Sequence, residues 1–335
     1  MSDPLRIGIL GYWHVHARDY AADAAANPDT QVVAVWDDDA ERGMAGAASL
    51  GVPFEPELDA LLADTDLDAV VVTTATAQHR DVMVKAAAAG KHLYAEKLLA
   101  PTVAEAEEIV AAADTHGVRL FVSLPRLYAG YTAALAGIVE AGTLGELVHG
   151  RVRLSHDGAV ATETQPAWLP DRFFDPATAV GGALTDLGCH PVYLIQRFLG
   201  PRPQTVSATY ASVRGHGVED QAVVTVRYAG GALGVIEAGF VNRAPFSVEL
   251  GGTLGSVRYT SDQDGIIAVG SPYGGREPVT LAVPPDGPGP FDRWVEHVRS
   301  GVRADDNIAR AVELTRLVVA ANQAAAEGRT IPYPS

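Results

Sequence analysis

Five short apolar runs, each followed by a helix-forming stretch, fill the first 123 residues, and this alternation restricts the fold more than any other feature of the chain. The runs are Leu5–Leu10, Gln31–Trp36, Leu67–Thr74, Lys91–Tyr94 and Val118–Ser123. Leu67–Thr74 is rich in β-branched residues, which suits a strand buried on both faces. Between them, Val15–Ala26 ends at Asn27-Pro28, Thr76–Ala89 is closed by Gly90, and Val103–His116 is closed by Gly117. These are helix stop signals, and Thr102 with Glu105 forms a capping box that starts the third. Strictly alternating strands and helices build an α/β unit with a parallel sheet.

From Leu124 the pattern changes. One helical stretch, Tyr128–Ala141, precedes a series of strands: Glu146–Ser155, Thr205–Val213, Gln221–Tyr228, Leu233–Phe240, Ser247–Leu250 and Ser256–Thr260. Gly230-Gly231 and Gly251-Gly252 are hairpin signals, so this part reads as a mainly antiparallel sheet. The expected division is residues 1–123 and 124–335. Phe291–Ser300 and Asn307–Glu327 read as helices, the second with an apolar stripe at Ala311, Leu314, Val318 and Ala321. The net charge of -16 argues against nucleic acid or an anionic membrane surface as partner. A single cysteine, Cys189, rules out an internal disulfide framework and fits a reducing cytoplasm. No apolar run reaches ~18 residues, and no basic segment with an apolar core precedes Leu5, so neither a membrane span nor a signal peptide is expected.

The first strand ends at Gly11, and the second ends roughly 25 residues on in Asp37-Asp38-Asp39, which is the dinucleotide-binding Rossmann arrangement. A helix N-terminus offers free N–H groups and a positive dipole to a pyrophosphate. An acid after the second strand accepts hydrogen bonds from the adenosine ribose and repels a 2′-phosphate. Asp37 is assigned that role because it directly follows the strand, so NAD is expected rather than NADP. Helix capping is the plain alternative for this acidic triplet. The glycine fingerprint is reduced to its first member: Gly11-Tyr12-Trp13-His14-Val15-His16 puts Trp13 and His16 at the other two glycine positions. Trp13, His14 and Val15 become candidate cofactor contacts, as do Thr74 and His79 at the end of the third strand. A metal pair of His14 and His16 lacks a third ligand nearby in sequence, so no metal is expected.

Two constellations carry the chemistry. Glu96 and Lys97 follow the fourth strand, at the carboxyl end of a parallel sheet, where such sheets bind ligands. Asp186 and His190 stand four apart before an apolar helix, which the position of Pro191 predicts to start near Thr185 or Asp186. A histidine beside a carboxylate is a proton-transfer pair, unless the aspartate merely caps and the histidine meets a backbone carbonyl. Arg126, Trp168 and Asp171 are candidate substrate contacts, with loop packing and surface ion pairs the blander reading.

Taken in order, Ile7-Gly8-Ile9-Leu10-Gly11, Val33–Asp37, Gly90-Lys91-His92, Glu96-Lys97, Gly142–Glu146 and Gly181-Gly182 with Asp186–His190 resemble the Gfo/Idh/MocA oxidoreductases along nearly the whole chain. The resemblance implies an N-terminal Rossmann domain and a C-terminal α/β domain whose large open sheet forms dimers or tetramers. It implies NAD(P)-dependent hydride transfer at a hydroxyl-bearing carbon of a sugar, polyol or cyclitol. Lys97 matches the lysine of the family's E-K-P motif, and Asp186 and His190 match its D-x-x-x-H pair. His190 is the first choice of base, having an unperturbed pKa near neutral, with Lys97 as stabiliser and proton relay. Leu98 replaces the motif's proline, Thr74-Ala75 replaces a T-P pair, and Tyr193 stands where an aspartate often follows the histidine. Two other functions fit the same residues: an enzyme that retains NAD through a reaction without net redox, and a non-catalytic sensor of nucleotide or sugar.

Overall fold

The structure, a computed structural model, describes residues 3–334. The chain forms two compact units, Met1–Ser123 with Pro288–Val312, and Leu124–Gly287 with Glu313–Ser335.

The first unit holds a five-stranded parallel sheet of β1 (Leu5–Leu10), β2 (Thr30–Trp36), β3 (Ala69–Val72), β4 (His92–Ala95) and β5 (Leu120–Val122), in the order β2-β1-β3-β4-β5. The helices are α1 (Ala17–Ala26), α2 (Ala40–Leu50), α3 (Leu58–Leu62), α4 (His79–Ala88) and α5 (Val103–Thr115). Ile7, Ile9, Val70, Val71, Val72 and Leu93 are fully buried, as strands covered on both faces require. Thr102 caps α5 by accepting from the Glu105 N–H, the first half of the expected capping box, and its hydroxyl donates to the Glu105 carboxylate. The strand register aligns the carboxyl ends. Leu10 pairs with Trp36 and Val72, Val72 with Ala95, and Ala95 with Val122. The next residues, Gly11, Asp37, Thr73, Glu96 and Ser123, therefore share one edge. The chain turns outward on both sides of β1, which makes the β1/β3 edge the switch point where ligands bind in such sheets.

In the second unit nine strands run in the order β13-β12-β11-β10-β6-β9-β8-β7-β14. They are β6 (Leu147–Ser155), β7 (Thr205–Ala211), β8 (Gln221–Arg227), β9 (Leu233–Gly239), β10 (Ala244–Gly252), β11 (Gly255–Thr260), β12 (Ile266–Gly270), β13 (Gly275–Leu281) and β14 (Ile331–Pro332). Every pairing is antiparallel except β6 with β9. Helices α6 (Gly130–Glu140), α7 (Pro176–Ala179) and α8 (Cys189–Leu199) belong here. Helix α8 packs on the sheet where Gly150 of β6 pairs with Gly234 of β9. A Cβ on Gly234 would lie 2.9 Å from Ile195, and one on Gly150 would lie 3.0 Å from Leu199. The glycine pair thus sets how closely α8 approaches. The late helix α9 (Pro290–Ser300) returns to the first unit, and α10 (Asp305–Glu327) is divided between the two at Val312. The four stripe residues of α10 are all fully buried.

Candidate active site

The carboxyl edge of the first sheet is built around Gly11. Its φ is +92°, and a Cβ would meet the Thr74 backbone at 2.9 Å, so only glycine suits the position. Tyr12 turns inward onto Gly46 of α2, where a Cβ would lie 2.4 Å from its ring. Trp13 and His14 are buried, and the His14 N–H donates to the Thr73 carbonyl at 3.1 Å. Val15 and His16 complete the turn before α1. The Thr74 hydroxyl oxygen is buried without a partner among the described residues. An unsatisfied hydroxyl beside a left-handed glycine at the switch point fits a bound dinucleotide.

Asp37 departs from its expected role. Its carboxylate is 2% exposed and accepts from the Tyr12 N–H at 2.6 Å, the Asp39 N–H at 2.9 Å, and Arg42 Nε and NH2 at 2.9 and 2.5 Å. Four donors saturate a carboxylate, leaving nothing for a ribose. Its neighbour Asp38, with a side chain 39% exposed, pairs with Arg42 and accepts from Gln78 at 2.7 Å. Three consecutive aspartates look alike in sequence; the Tyr12 and Asp39 N–H groups single out Asp37, while Arg42 pairs with both Asp37 and Asp38. His79 also departs from expectation. It is fully buried, with Nδ1 3.0 and 3.2 Å from the Leu98 and Leu99 carbonyls and Nε2 3.3 Å from the Thr74 carbonyl. It fastens the Lys97 turn to the end of β3, and burial pushes its pKa down.

That turn holds Lys97 almost completely buried, its Nζ 3.3 Å from Glu96 Oε1, and the Lys97–Leu98 peptide bond is cis with leucine in place of proline. Glu96 Oε2 accepts from the Tyr20 hydroxyl and lies 3.4 Å from His16 Nδ1 and 4.0 Å from His14 Nδ1. Burial alone would raise the Glu96 carboxyl, yet His14, Lys97 and His16 together hold it well below the usual carboxylate range. Glu96 is therefore the third donor that was missing beside His14 and His16, their ligand atoms lying within 4.8 Å of one another. The donors face each other: Tyr20 and His16 turn to Oε2, the Lys97 ammonium sits at Oε1, and His14 Nδ1 accepts from the His16 N–H at 3.2 Å. The arrangement is a charge-balanced hydrogen-bond cluster around a buried lysine.

In the second unit, α8 begins at Cys189, three or four residues later than its sequence suggests. Residues 183–188 form successive turns, so Asp186 precedes the helix while His190 and Pro191 lie in its first turn. The Gly188 N–H donates to the Ala183 carbonyl at 2.8 Å, five residues back and out of α-helical register. The Glu219 carboxylate accepts from the Gly182 and Leu184 N–H groups, each at 3.0 Å, and the Glu219 carbonyl accepts from the Ala183 N–H at 2.9 Å, which fastens the segment just before these turns. Gly182 is obligatory, because a Cβ would fall 1.9 Å from the Glu219 carbonyl. His190 is buried with Nδ1 2.7 Å from the Tyr193 hydroxyl, which also accepts the Arg126 backbone N–H at 3.1 Å. Arg126 itself lies over Phe246, 4.2 Å from the ring centroid. Arg126, His190 and Tyr193 thus form one group. Trp168 is 52% exposed and packs on His156, and Asp171 is exposed at the start of a short 3-10 turn, so both lie on the surface while His190 and Tyr193 are buried.

A Rossmann edge with a buried lysine in the first unit, and a D-x-x-x-H pair in the antiparallel-sheet second unit, are features of a nucleotide-dependent oxidoreductase. Residues 5–124 match an oxidoreductase family with an NAD-binding Rossmann fold, and residues 132–258 match the GFO/IDH/MocA C-terminal domain. The chain is 30% identical to 1,5-anhydro-D-fructose reductase of Ensifer adhaerens over 75% of this chain and 74% of that one. It is 28% identical to a dTDP-3,4-didehydro-2,6-dideoxy-alpha-D-glucose 3-reductase of Streptomyces antibioticus over 77% of this chain and 76% of the other. Among solved structures it is similar to GenD2 from gentamicin A biosynthesis in complex with NAD, with a TM-score of 0.84, 27% identity, and coverage of 100% and 98%. The chain belongs to the Gfo/Idh/MocA family of NAD-binding oxidoreductases.

Proposed function

We propose that the protein transfers hydride between a nicotinamide dinucleotide and a hydroxyl- or carbonyl-bearing carbon of a sugar, polyol or cyclitol. The observation that carries this reading is Lys97. A lysine held almost dry at the carboxyl edge of a dinucleotide-binding sheet, with its charge balanced by Glu96, has little structural purpose there and a clear chemical one. The cofactor, when bound, supplies or accepts the hydride. Gly11, Trp13, His14 and Val15 border it, Thr74 donates its hydroxyl, and Asp38 rather than Asp37 accepts from the adenosine ribose. Lys97 binds the reacting oxygen and carries its proton, Glu96 balances the lysine, and Asp186 and His190 are the second unit's proton-transfer pair. Arg126, Trp168 and Asp171 serve the rest of the substrate. The carbohydrate class is supported by the reductases named above, all acting on sugars or their derivatives.

The protein works as a homodimer or homotetramer in a reducing, cytoplasmic setting. The second sheet supports the assembly: Val223 and Leu233 stand 45% and 48% exposed on strands β8 and β9, beside the Arg151–Glu237 ion pair. No described helix is long and apolar enough to cross a membrane. The test of function is turnover of a panel of keto sugars and polyols with NADH, NADPH and their oxidised forms. Exchange of free nicotinamide with one carbohydrate class supports the proposal. Absence of binding by either dinucleotide at millimolar concentration overturns it.

A further inference from the structure

We propose that Trp168, Asp157 and Arg243 form a subsite for an uncharged sugar ring, its C–H face on the indole and its hydroxyls on the carboxylate and guanidinium. This deepens the function proposed above and rests on its carbohydrate substrate class. It separates a free sugar from one that carries a phosphate.

All three residues belong to the second unit. Trp168 is half exposed, whereas Trp13, Trp36 and Trp294 are buried. One exposed apolar side chain is ordinary by itself. The seating of this one is not. His156 packs on one side of the indole, with ring centroids 4.6 Å apart, and is itself stacked on the fully buried Phe240 at 5.1 Å. The Gly158 N–H donates to His156 Nδ1 at 3.0 Å, which fixes that ring. Gly158 also makes room for the indole, since a Cβ there would lie 2.9 Å from Trp168 Cζ2. The Leu169 N–H donates to the Gly158 carbonyl at 3.0 Å and ties down the next residue. The exposed part of the indole is thus held in place, with little freedom left to lose on binding.

The edge of the indole is polar. Its N–H donates to the Asp157 carboxylate, which Arg243 Nε also meets at 2.6 Å. Arg243 holds that carboxyl below the usual range, so it is ionised at neutral pH. A carboxylate has about four acceptor sites. Arg243, the indole and the residue's own N–H take three of them, which leaves room for a hydroxyl. The Arg243 side chain is 80% exposed and offers further N–H donors on the same rim.

These groups together match one ligand chemistry. A pyranose chair has a face of axial C–H groups made positive by neighbouring oxygens, and the face of an indole is negative. Its rim carries hydroxyls that both donate and accept, and a carboxylate beside a guanidinium supplies both counterparts. A flat apolar ring would use the indole and leave the ion pair unused. A phosphate is disfavoured, because Asp157 cancels the charge of Arg243 and the chain carries a net charge of -16.

Trp168 is the exposed one of the chain's four tryptophans, so its emission reports the subsite without turnover. The full chain with NAD present is titrated with D-glucose, D-galactose, D-xylose and glucose 1-phosphate, following tryptophan emission and its quenching by acrylamide. The expected result is saturable protection by at least one neutral sugar, a signal that disappears in Trp168→Phe. Calorimetry should show Trp168→Ala binding that sugar roughly tenfold more weakly and Trp168→Phe recovering to within about threefold. No protection by any neutral sugar at high millimolar concentration overturns the proposal. Tenfold tighter binding of glucose 1-phosphate than of glucose also overturns it, since the subsite would then read an anion. So does a Trp168 that is shielded from acrylamide without sugar and uncovered on dilution, because a second copy of the chain would cover it. Protection without turnover would count against the proposed hydride transfer and leave the subsite standing. Turnover of a keto sugar without protection would do the reverse.

Discussion

At the scale of single residues, the chemistry is set by how buried side chains divide a limited supply of donors and acceptors. Asp37 and Asp38 are adjacent and chemically equal, yet Arg42 and two backbone N–H groups consume the first. Asp38→Ala is therefore expected to weaken dinucleotide binding roughly tenfold, the worth of about one charge-assisted hydrogen bond. Asp37→Ala should instead lower the melting temperature, by leaving Tyr12 and Arg42 without their acceptor. Calorimetric titration with NAD and thermal unfolding separate the two outcomes. His79 gives a pH prediction. Its folded pKa is depressed by burial, below an unfolded value of about 6.5, so the unfolded chain binds the proton more readily in acid. Its contribution to stability is complete above that value and is lost as pH falls from it towards the lowered folded value. His79→Gln should flatten the decline in unfolding free energy over that window and cost about 1–3 kcal/mol at neutral pH. Urea unfolding at stepped pH measures both.

At the scale of elements, the parallel sheet and its helices are legible in the sequence because each strand is an uninterrupted apolar run and each helix carries its own stop signal. Gly11, Lys97 and the D-x-x-x-H pair were legible too, since each is a local pattern. What was not legible depends on partners distant in sequence. The start of α8 was expected at Thr185 or Asp186, but the Gly188 N–H reaches back five residues to the Ala183 carbonyl, next to the Glu219 clamp on Gly182 and Leu184, and the helix begins at Cys189. The tucking of Tyr12 onto Gly46 could not be read from the turn alone. Strands β12, β13 and β14 were missed for another reason. They lie at or near the sheet's ends, where β13 carries Pro278 and charged residues and β14 spans two residues. Glu219 also yields a test. Burial pushes its carboxyl up, aided by Asp220, and Glu219→Gln leaves one oxygen for two N–H groups. The variant should lose about tenfold in kcat/KM through displacement of the Asp186–His190 segment, with NAD binding intact. Unchanged kinetics would show that the segment keeps its place without the clamp.

At the scale of the whole molecule, composition placed the protein among acidic globular chains but did not reveal that residues 288–312 return to the first unit after an intervening sheet. Such a return is carried by packing, as when Asn307 exchanges hydrogen bonds with Val122 at the end of β5. The open sheet face makes a further claim about the molecule. Replacing Val223 and Leu233 together by arginine should shift the mass in solution from a dimer or tetramer to a protomer, read by light scattering. An unchanged mass would move the interface elsewhere. The central claim is hydride transfer with Lys97 as proton carrier. Its most direct test follows deuteride from a reduced nicotinamide, deuterated at the transferring carbon, into a keto sugar, in wild type and Lys97→Met. The wild type should place the label on the new carbinol carbon, and Lys97→Met should do so about 10²–10⁴ times more slowly with NAD affinity retained. Label found in solvent or nowhere in the wild type, or transferred equally fast by Lys97→Met, would contradict the account.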